Sequence, residues 1–545
     1  MNNKYFIFLL VFLAFALSVS AADWTQFMAN AAHSGANGDL GPGASSVIKW
    51  DYSFRFSEPI IYPHSPLIKS NRLYQVINEN YGSPEAGSGS YLYVFNPNEG
   101  TQLAKCKINL EYSKGNGAIF NQDLYLPLSN GIIKISNIHL LNLLTGQDCG
   151  GSLVVNNISP VSSLVEKDGV LYFGGSLQLY KYVIATSQLS NYPAGAPVLT
   201  PVLTEGMNGK RYVIFIIMQP GGANRYLQAV DASNLAATTS GTFIFNPASD
   251  IVASPAVYSP SGDGFNLITV ALKDGRIFNL QQNKLTGGIG QAGGAGTVIT
   301  TGANLEVEPI IHSESSDRGV IYTFTSLYEN NKMYKLEYTY GPSSGYSINS
   351  YTDDSHMNTY WKYSNKAVAS PAYASNTAIL VGPSAITGFN ARSGFISTIT
   401  TPWNLEVPFN PVATKLSAPA ISEDSLFIFD GKDLFAVGTA SSVPAPSTPL
   451  PQPEICTDGL DNDEDTLVDC DDSDCATAVN CQPEVPPSVP PPSGPLYGDY
   501  NGDGSINIGD WVQIRQNPAA FWQAMEEDII TLNNYLVAMK RGWTG

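Results

Sequence analysis

The sequence predicts an all-β fold, an eight-bladed β-propeller, followed by two small modules on Pro-rich linkers. Charged residues make up only 14% of the 545 residues, whereas Gly (49), Pro (36) and Tyr (29) are abundant, which favours short strands and turns over helices. A small residue followed by Pro recurs between residues 65 and 419. Two Pro-rich stretches, 441–453 and 482–495, then act as extended spacers around a Cys/Asp-rich segment, 454–481, and a C-terminal unit, 496–545.

The first 21 residues are expected to be a secretory signal peptide. Lys4 precedes an apolar stretch from Tyr5 to Leu17, and small residues up to Ala22 follow it. This stretch is too short to span a bilayer as a stable helix, although an uncleaved anchor is the alternative. We therefore expect a mature chain without a transmembrane segment, located outside the cell or at the cell surface. Its six cysteines would then meet an oxidising compartment, where disulfides persist.

The net charge excludes two classes of partner. The chain carries 47 acidic and 28 basic side chains, a formal charge of −19, without a Lys/Arg cluster. Such a chain cannot release counterions from a phosphate backbone, so we expect no nucleic acid partner. Anionic lipid would repel it as well.

Residues 22–440 repeat a unit of about 50 residues, a period typical of propellers. Each unit opens with a small residue and Pro, continues with alternating β-forming residues, and then has a turn and a second apolar run. The openings are Ser65-Pro66, Ser159-Pro160, Thr200-Pro201, Ser254-Pro255, Glu308-Pro309, Ser370-Pro371 and Ala418-Pro419, with Gly117-Ala118 as an eighth copy that lacks Pro. Eight openings predict eight blades, and the segment 47–54 could add a strand to the last blade and close the ring.

The start of the mature chain resembles the PQQ-binding-like (quinoprotein-type) β-propeller family. The resemblance covers roughly residues 23–440 and rests on the repeats together with Trp24-Thr25-Gln26-Phe27, Asn30, His33-Ser34-Gly35 and Lys49-Trp50. The family includes quinone-dependent alcohol dehydrogenases and many non-catalytic propellers, so the fold alone does not give the function. A dehydrogenase of this family would be expected to carry an adjacent Cys-Cys pair, calcium ligands and a catalytic Asp.

The sequence contains no adjacent cysteines, which argues against PQQ and against quinone catalysis. The five histidines do not stand at metal-ligand spacing, and phosphate-binding loops are absent, so no catalytic residue is assigned. Cys106 and Cys149 are expected to form a structural disulfide between neighbouring blades, with two free thiols as the alternative. Aromatic residues such as Trp361, Tyr363 and Trp403 could line a face that binds a glycan or a peptide, or could pack between blades.

The Cys/Asp-rich module places ten carboxylates within residues 454–475. Oxygen ligands at this spacing suit Ca²⁺, and the pattern resembles short Cys/Asp-rich calcium-binding repeats of prokaryotic surface proteins. The expected ligands are Asp461, Asp463, Asp465 and Asp469, although Thr466 replaces the usual loop glycine. The resemblance implies two disulfides among Cys456, Cys470, Cys475 and Cys481, in one of three connectivities. A solvated acidic spacer is the alternative.

The C-terminal unit contains an EF-hand-type loop from Asp499 to Asp510. Gly504 allows the sharp turn of the loop. Its expected calcium ligands are Asp499, Asn501, Asp503, Ser505 through its carbonyl, Asn507 and Asp510. The loop resembles the first half of a dockerin, which implies a cohesin-like or other surface protein as a partner. The second half has Trp522, Ala524 and Ile530 at ligand positions, so we expect its calcium site to be lost.

The sequence therefore predicts a secreted binding or scaffold protein: a non-catalytic propeller with calcium-binding modules for attachment or docking. Two alternatives stay open. The first is a propeller enzyme, either a quinoprotein dehydrogenase or a polysaccharide-active protein, delivered by its dockerin-like tail. The second is a structural component of a surface layer.

Overall fold

The protein is described by a computed structural model. The chain divides into two units, Met1–Ser447 and Thr448–Gly545, and all described residues lie in the first. The described residues are 25–26, 30, 41–43, 45–54, 64–79, 89–109, 112–141, 145–218, 225–236, 239–246, 249–251, 253–260, 264–294, 297–301, 305, 307–315, 317–324, 333–341, 343–354, 369–374, 377–382, 385–390, 403–409 and 416–439.

The described residues form thirty-four strands in eight sheets, one for each blade, and the order within a sheet runs outward from the innermost strand. The first strand of the chain is Ser46–Ser53 (β1). Blade 1 contains Leu67–Lys69 (β2), Arg72–Glu79 (β3), Gly89–Phe95 (β4) and Gln102–Asn109 (β5). Blade 2 contains Ala118–Phe120 (β6), Asp123–Leu128 (β7), Gly131–Ile135 (β8) and Ser152–Asn156 (β10), while the intervening Thr145–Asp148 (β9) joins blade 1. Blade 3 contains Val165–Lys167 (β11), Val170–Gly174 (β12), Gln178–Val183 (β13) and Gln188–Pro193 (β14). Blade 4 contains Val202–Glu205 (β15), Arg211–Met218 (β16), Arg225–Asp231 (β17) and Gly241–Phe245 (β18).

The second half of the ring repeats this arrangement. Blade 5 contains Ala256–Tyr258 (β19), Phe265–Ala271 (β20), Arg276–Asn283 (β21), Ile289–Gln291 (β22) and Val298–Thr300 (β23). Blade 6 contains Ile310–Ser315 (β24), Arg318–Phe324 (β25), Met333–Gly341 (β26) and Gly345–Asp354 (β27). Blade 7 contains Ala372–Ala374 (β28), Thr377–Val381 (β29), Ala385–Asn390 (β30) and Trp403–Glu406 (β31). Blade 8 contains Ala420–Ser422 (β32), Ser425–Phe429 (β33) and Asp433–Thr439 (β34), with β1 as its outer strand. Helical structure in the described residues is limited to two 3-10 turns, Ile138–Leu140 and Met207–Gly209.

The prediction of an all-β fold with eight blades is confirmed. The innermost strands of consecutive blades contact one another around most of the ring, and β2 of blade 1 contacts β32 of blade 8, so the ring closes. A closed ring of sheets is one of the arrangements by which all-β proteins manage their edge strands. Within the described residues no helix is long and apolar enough to cross a membrane.

The ring is closed by β1, the strand expected from the segment 47–54. It pairs antiparallel with β34 of blade 8, but its side chains reach blade 1. The buried Trp50 donates its indole N–H to the Pro97 carbonyl at 2.9 Å and stacks on Phe95, and the Tyr52 hydroxyl donates to Gln102 at 2.7 Å. One strand therefore joins the last blade to the first by backbone pairing on one side and side-chain packing on the other.

Apolar layers between neighbouring blades supply the core. On β3, for example, Tyr74 and Val76 face the layer shared with blade 2, while Leu73 and Ile77 face the layer shared with blade 8. The period-2 alternation of a strand thus serves two interfaces at once. This is why nearly continuous apolar runs, rather than half-polar ones, form the second and third strands of the blades.

The β8–β10 connection of blade 2 crosses to blade 1. Its strand β9 pairs parallel with β5, the outer strand of blade 1, before the chain returns to blade 2 as β10. A disulfide between Cys106 on β5 and Cys149 just after β9 fixes this crossing, with Cα atoms 5.1 Å apart. The bond therefore ties blade 1 to a connection that belongs to blade 2, and both cysteines are buried.

Blade 3 corrects one assignment of the repeats. The opening expected at Ser159-Pro160 lies four residues too early, because β11 begins at Val165 and the residues before it are Ser163 and Leu164. Pro160 instead forms a bridge with Gly175, in the turn between β12 and β13. Pro160 therefore lies in the loop between blades 2 and 3 and not at the start of the inner strand.

Candidate functional site

One face of the ring collects the connections between blades. The inner strand of each blade begins on this face, and the antiparallel order places the turn between the second and third strands there too. We call it the entry face. Loops positioned by a rigid scaffold commonly carry the binding residues of a protein, so this face is the candidate site.

A ring of small polar residues surrounds the channel on the entry face. In every blade one of them stands two positions before the inner strand begins, and together we call them the axial mouth. They are Ser65, Asn116, Ser163, Thr200, Ser254, Glu308, Ser370 and Ala418. Seven of the eight have polar side chains, and this shared position is what the recurring small-residue-Pro pattern of the sequence encodes.

Hydrogen bonds connect successive members of the axial mouth. The backbone N–H of Ser65 donates to Asn116 Oδ1 at 2.7 Å, and that of Asn116 donates to Ser163 Oγ at 3.0 Å. The N–H of Ser163 donates in turn to Thr200 Oγ1 at 3.2 Å. Each side chain thus satisfies a buried N–H group of the preceding blade, which would otherwise cost about 1–3 kcal/mol. The mouth is therefore a rigid rim that spans blades 1 to 4.

Glu308 plays the same part for three blades. Its carboxylate accepts the Ser254 N–H of blade 5 at 3.3 Å and the hydroxyl of Ser370 of blade 7, while Glu308 itself precedes the inner strand of blade 6. At blade 8 the position is Ala418, which has no side-chain acceptor or donor. The Ser65 hydroxyl, on the other side of this seam, is buried and has no hydrogen-bond partner among the described residues. The blade 8–blade 1 seam is consequently held by β1 and by apolar packing.

A buried polar cluster supports the mouth at the junction of blades 1 and 2. Asn78 donates to the Ser113 carbonyl at 2.9 Å, accepts from the Ser90 hydroxyl at 2.7 Å, and lies with Nδ2 3.2 Å from His64 Nε2. Gln75 donates to the His64 carbonyl at 2.9 Å. Burial lowers the pKa of His64 to about 4, partly opposed by hydrogen bonds to the Ser113 and Gly115 backbone. His64 is therefore neutral at pH 7.

The entry face also carries an exposed apolar pair on blade 3. Val161, in the connection from blade 2, is 40% exposed, and Leu177, in the turn between β12 and β13, is 59% exposed. Backbone hydrogen bonds hold both segments: the Val161 N–H donates to the Gly174 carbonyl at 2.9 Å, and the Ala194 N–H donates to the Leu177 carbonyl at 2.9 Å. The pair is thus an exposed apolar feature on an ordered backbone.

Most residues proposed from the sequence lie outside the described residues. This holds for both C-terminal modules, with the calcium ligands Asp499–Asp510 and Asp461–Asp469 and the cysteines Cys456–Cys481, and also for Trp361 and Tyr363. Trp403, on β31, is partly buried and packs against the apolar layer of blades 7, 8 and 1. Among the described residues no group of three or more His, Cys, Asp or Glu side chains could hold a metal ion.

Of three comparisons of the chain with known proteins, only the one with solved structures finds matches. No family model matches it, and no curated protein matches it. Among solved structures, BamB from Moraxella catarrhalis is similar at 9% identity, over 72% of this chain and 99% of that chain, with a TM-score of 0.44. A chain of the mitotic checkpoint complex matches at 12% identity over 63% of this chain and 94% of its own, with a TM-score of 0.38. The Pan2 WD40 domain of Neurospora crassa matches at 10% identity over 62% and 92%, with a TM-score of 0.34. The assignment of eight blades rests on the strand pairing itself.

Proposed function

We propose that the protein is a secreted, cell-surface binding platform. Its propeller presents the entry face to a protein partner, and its C-terminal modules bind calcium and attach the propeller to another surface protein. A propeller is suited to protein–protein interaction because it holds many loops on one rigid face. The observation that carries the proposal is the axial mouth, which fixes the connections of successive blades by hydrogen bonds between blades.

Secretion is supported by the signal-like amino terminus and by the buried disulfide of the propeller. Disulfides persist in oxidising compartments and are rare in the cytosol of most organisms. Cys106 and Cys149 close a loop of 43 residues across two blades. Mass spectrometry of the protein secreted by its native host should give a mature chain beginning near Ala22. A chain that retains residues 1–21 in the cytosol would contradict this part of the proposal.

The test of the binding role uses one substitution on the entry face and a matched one on the outer rim. Leu177→Asp and Leu189→Asp place the same charge at exposed leucines of the same blade, one in the turn of the entry face and one on the outer strand β14. The immobilised full-length protein should capture a surface protein from the native cell envelope. Leu177→Asp should reduce the recovered amount about tenfold, the cost of losing one interface anchor, whereas Leu189→Asp should leave it within twofold.

Equal effects of the two variants would contradict binding through the entry face. If a polysaccharide is recovered in place of a protein, with the same dependence on Leu177, the entry face is still the binding site but the partner is a polysaccharide. Loss of binding by the rim variant alone would move the site to the outer strands.

The calcium role is tested by titrating the full-length mature protein with Ca²⁺ in a calorimeter. The loop Asp499–Asp510 contains three carboxylates and no basic side chain, so Asp499→Ala should remove the Ca²⁺-binding step of this loop. Asp528→Ala, which removes the same charge from the degenerate second half, should leave that step unchanged. A Ca²⁺ isotherm that is flat, or identical in all three proteins, would contradict the proposal.

A further inference from the structure

The inner strand of blade 2 has a neighbour on each edge. On its sheet side β6 pairs with β7, and the other edge of an innermost strand faces the channel. On that channel edge the Ile119 N–H donates to the Thr25 carbonyl at 2.8 Å, and Gln26 forms an antiparallel bridge with Ala118. Thr25 and Gln26 therefore lie inside the channel and extend the sheet of blade 2 toward the axis.

The side chain of Gln26 continues this pairing into blade 3. Its Nε2 donates to the Glu166 carbonyl at 3.1 Å, and its Oε1 accepts the Glu166 N–H at 2.8 Å. The amide thus occupies both backbone groups of one residue on the inner strand β11. Gln26 is only 5% exposed, so these bonds are shielded from water. Gln26, which lies 140 positions before Glu166, therefore joins blades 2 and 3 from within the channel.

The chemistry of the contact selects glutamine. The side-chain amide of glutamine presents an N–H donor and a carbonyl acceptor side by side, as the backbone of a neighbouring strand does, and so it can take the place of that strand. A carboxylate of the same length would lack the donor that faces the Glu166 carbonyl. Asparagine would fall one methylene short. The Glu166 carboxylate does not compete, because it accepts the Gly169 N–H at 2.8 Å in the turn between β11 and β12.

We infer that the channel edge of β6 and β11 is a peptide-binding site for an extended segment carrying a glutamine, and that this chain fills the site with its own residues 25 and 26. All contacts are non-covalent, and they follow the mode in which a peptide adds to a free sheet edge. The chain is held a second time at Gly41, whose N–H donates to the Glu423 carbonyl of blade 8 at 2.8 Å. The occupant is thus a segment of the same chain, held at both ends.

Hydrogen exchange at the Glu166 amide tests the site in the full-length mature protein. Gln26→Ala should speed the exchange of this amide about tenfold, the loss expected from removing one hydrogen bond. Thr25→Ala is the matched control, because Thr25 contributes its backbone carbonyl, and it should leave the Glu166 amide protected. The amide of Val213, buried in blade 4, should stay protected in all variants and so report that the ring is folded.

A labelled peptide of residues 22–30 provides a second measurement. In a variant that lacks residues 22–30, whose site has lost its own occupant, the peptide should bind in a one-to-one complex and restore the protection of the Glu166 amide, whereas the same peptide with Glu in place of Gln26 should bind more weakly. An unchanged Glu166 amide in Gln26→Ala would overturn the inference. So would failure of the peptide to bind, or protection in the wild-type protein that depends on protein concentration, since the occupant would then come from a second copy.

Discussion

The buried His64 makes the stability of the propeller depend on pH in a defined way. Burial lowers its pKa from the ordinary value of 6.5 to about 4 in the folded protein. The unfolded chain therefore binds a proton at a higher pH than the folded chain does. The contribution of His64 is fully present above pH 6.5 and is lost as the pH falls toward 4.

The size of the effect follows from the shift. Each pKa unit corresponds to about 1.36 kcal/mol, so the full loss across the interval from 6.5 to about 4 is ~3 kcal/mol. Between pH 7.5 and pH 5 the expected loss is about 2 kcal/mol, because the unfolded histidine is then almost fully protonated and the folded one is not. Carboxylates elsewhere in the protein titrate in the lower part of this range, so the signal is the difference between the wild type and a variant without the imidazole.

Equilibrium unfolding in urea at pH 7.5, 6.5, 5.5 and 5 measures this difference. His64→Gln should be less stable than the wild type at pH 7.5 but should lose about 2 kcal/mol less on acidification to pH 5. If His64→Gln and the wild type lose stability in parallel, His64 is not held neutral by burial and the reasoning is refuted.

Four further variants test the packing. Trp50→Ala should cost about 3–5 kcal/mol in urea unfolding, because the side chain joins blade 8 to blade 1. The double change of Cys106 and Cys149 to Ser should cost about 4 kcal/mol, the entropy of a 43-residue loop, measured against the oxidised wild type with its disulfide intact. Asn116→Ala should cost about 1–3 kcal/mol by leaving the Ser65 N–H unpaired, seen as a lower thermal midpoint. Tyr346→Phe should be neutral or stabilising by up to about 1 kcal/mol, because its buried hydroxyl has no partner among the described residues; a clear loss in calorimetry would contradict this.

The fold was predictable because its signal is periodic. The number of blades follows from the Pro at the start of seven of the eight expected units and from the turns after them. The closing strand β1 was expected from the segment ahead of the first unit. The local turns follow simple chemistry: Ser70 and Asn71 connect β2 to β3, and Asp168 and Gly169 connect β11 to β12, each pair with positive φ at both positions. Such two-residue turns match the twist of paired strands and favour Asn, Asp and Gly.

The axial mouth was harder to predict because what its members share is a position rather than a residue type. Ser, Thr, Asn and Glu all place an acceptor against the N–H of the preceding blade, so Asn116, which no Pro follows, did not stand out from its neighbours. In blade 3 Pro160 gave a false opening, since a Pro four residues earlier has the same sequence signature. The count of openings was still right, so the predicted number of blades was correct.

Contacts between distant segments left no local pattern at all. Gln26 was noted only as part of an amino-terminal motif, and its partner Glu166 is 140 residues away. The same holds for His64, whose burial depends on Asn78 and on the connection at Ser113. The cue available in the sequence was the polar character of these residues within otherwise apolar runs. Buried polar groups need partners, so such residues indicate a network even when its members cannot be named.

The most direct test of the proposed function is a hydrogen-exchange footprint of the full-length protein bound to the surface partner that it captures. Protection should appear on the entry face, in the connection that contains Val161 and in the turn that contains Leu177. The turns at the opposite ends of the blades, such as Asp168-Gly169, should exchange as in the free protein. Protection confined to those turns or to the outer strands, with the entry face unchanged, would contradict binding through the axial mouth and its loops.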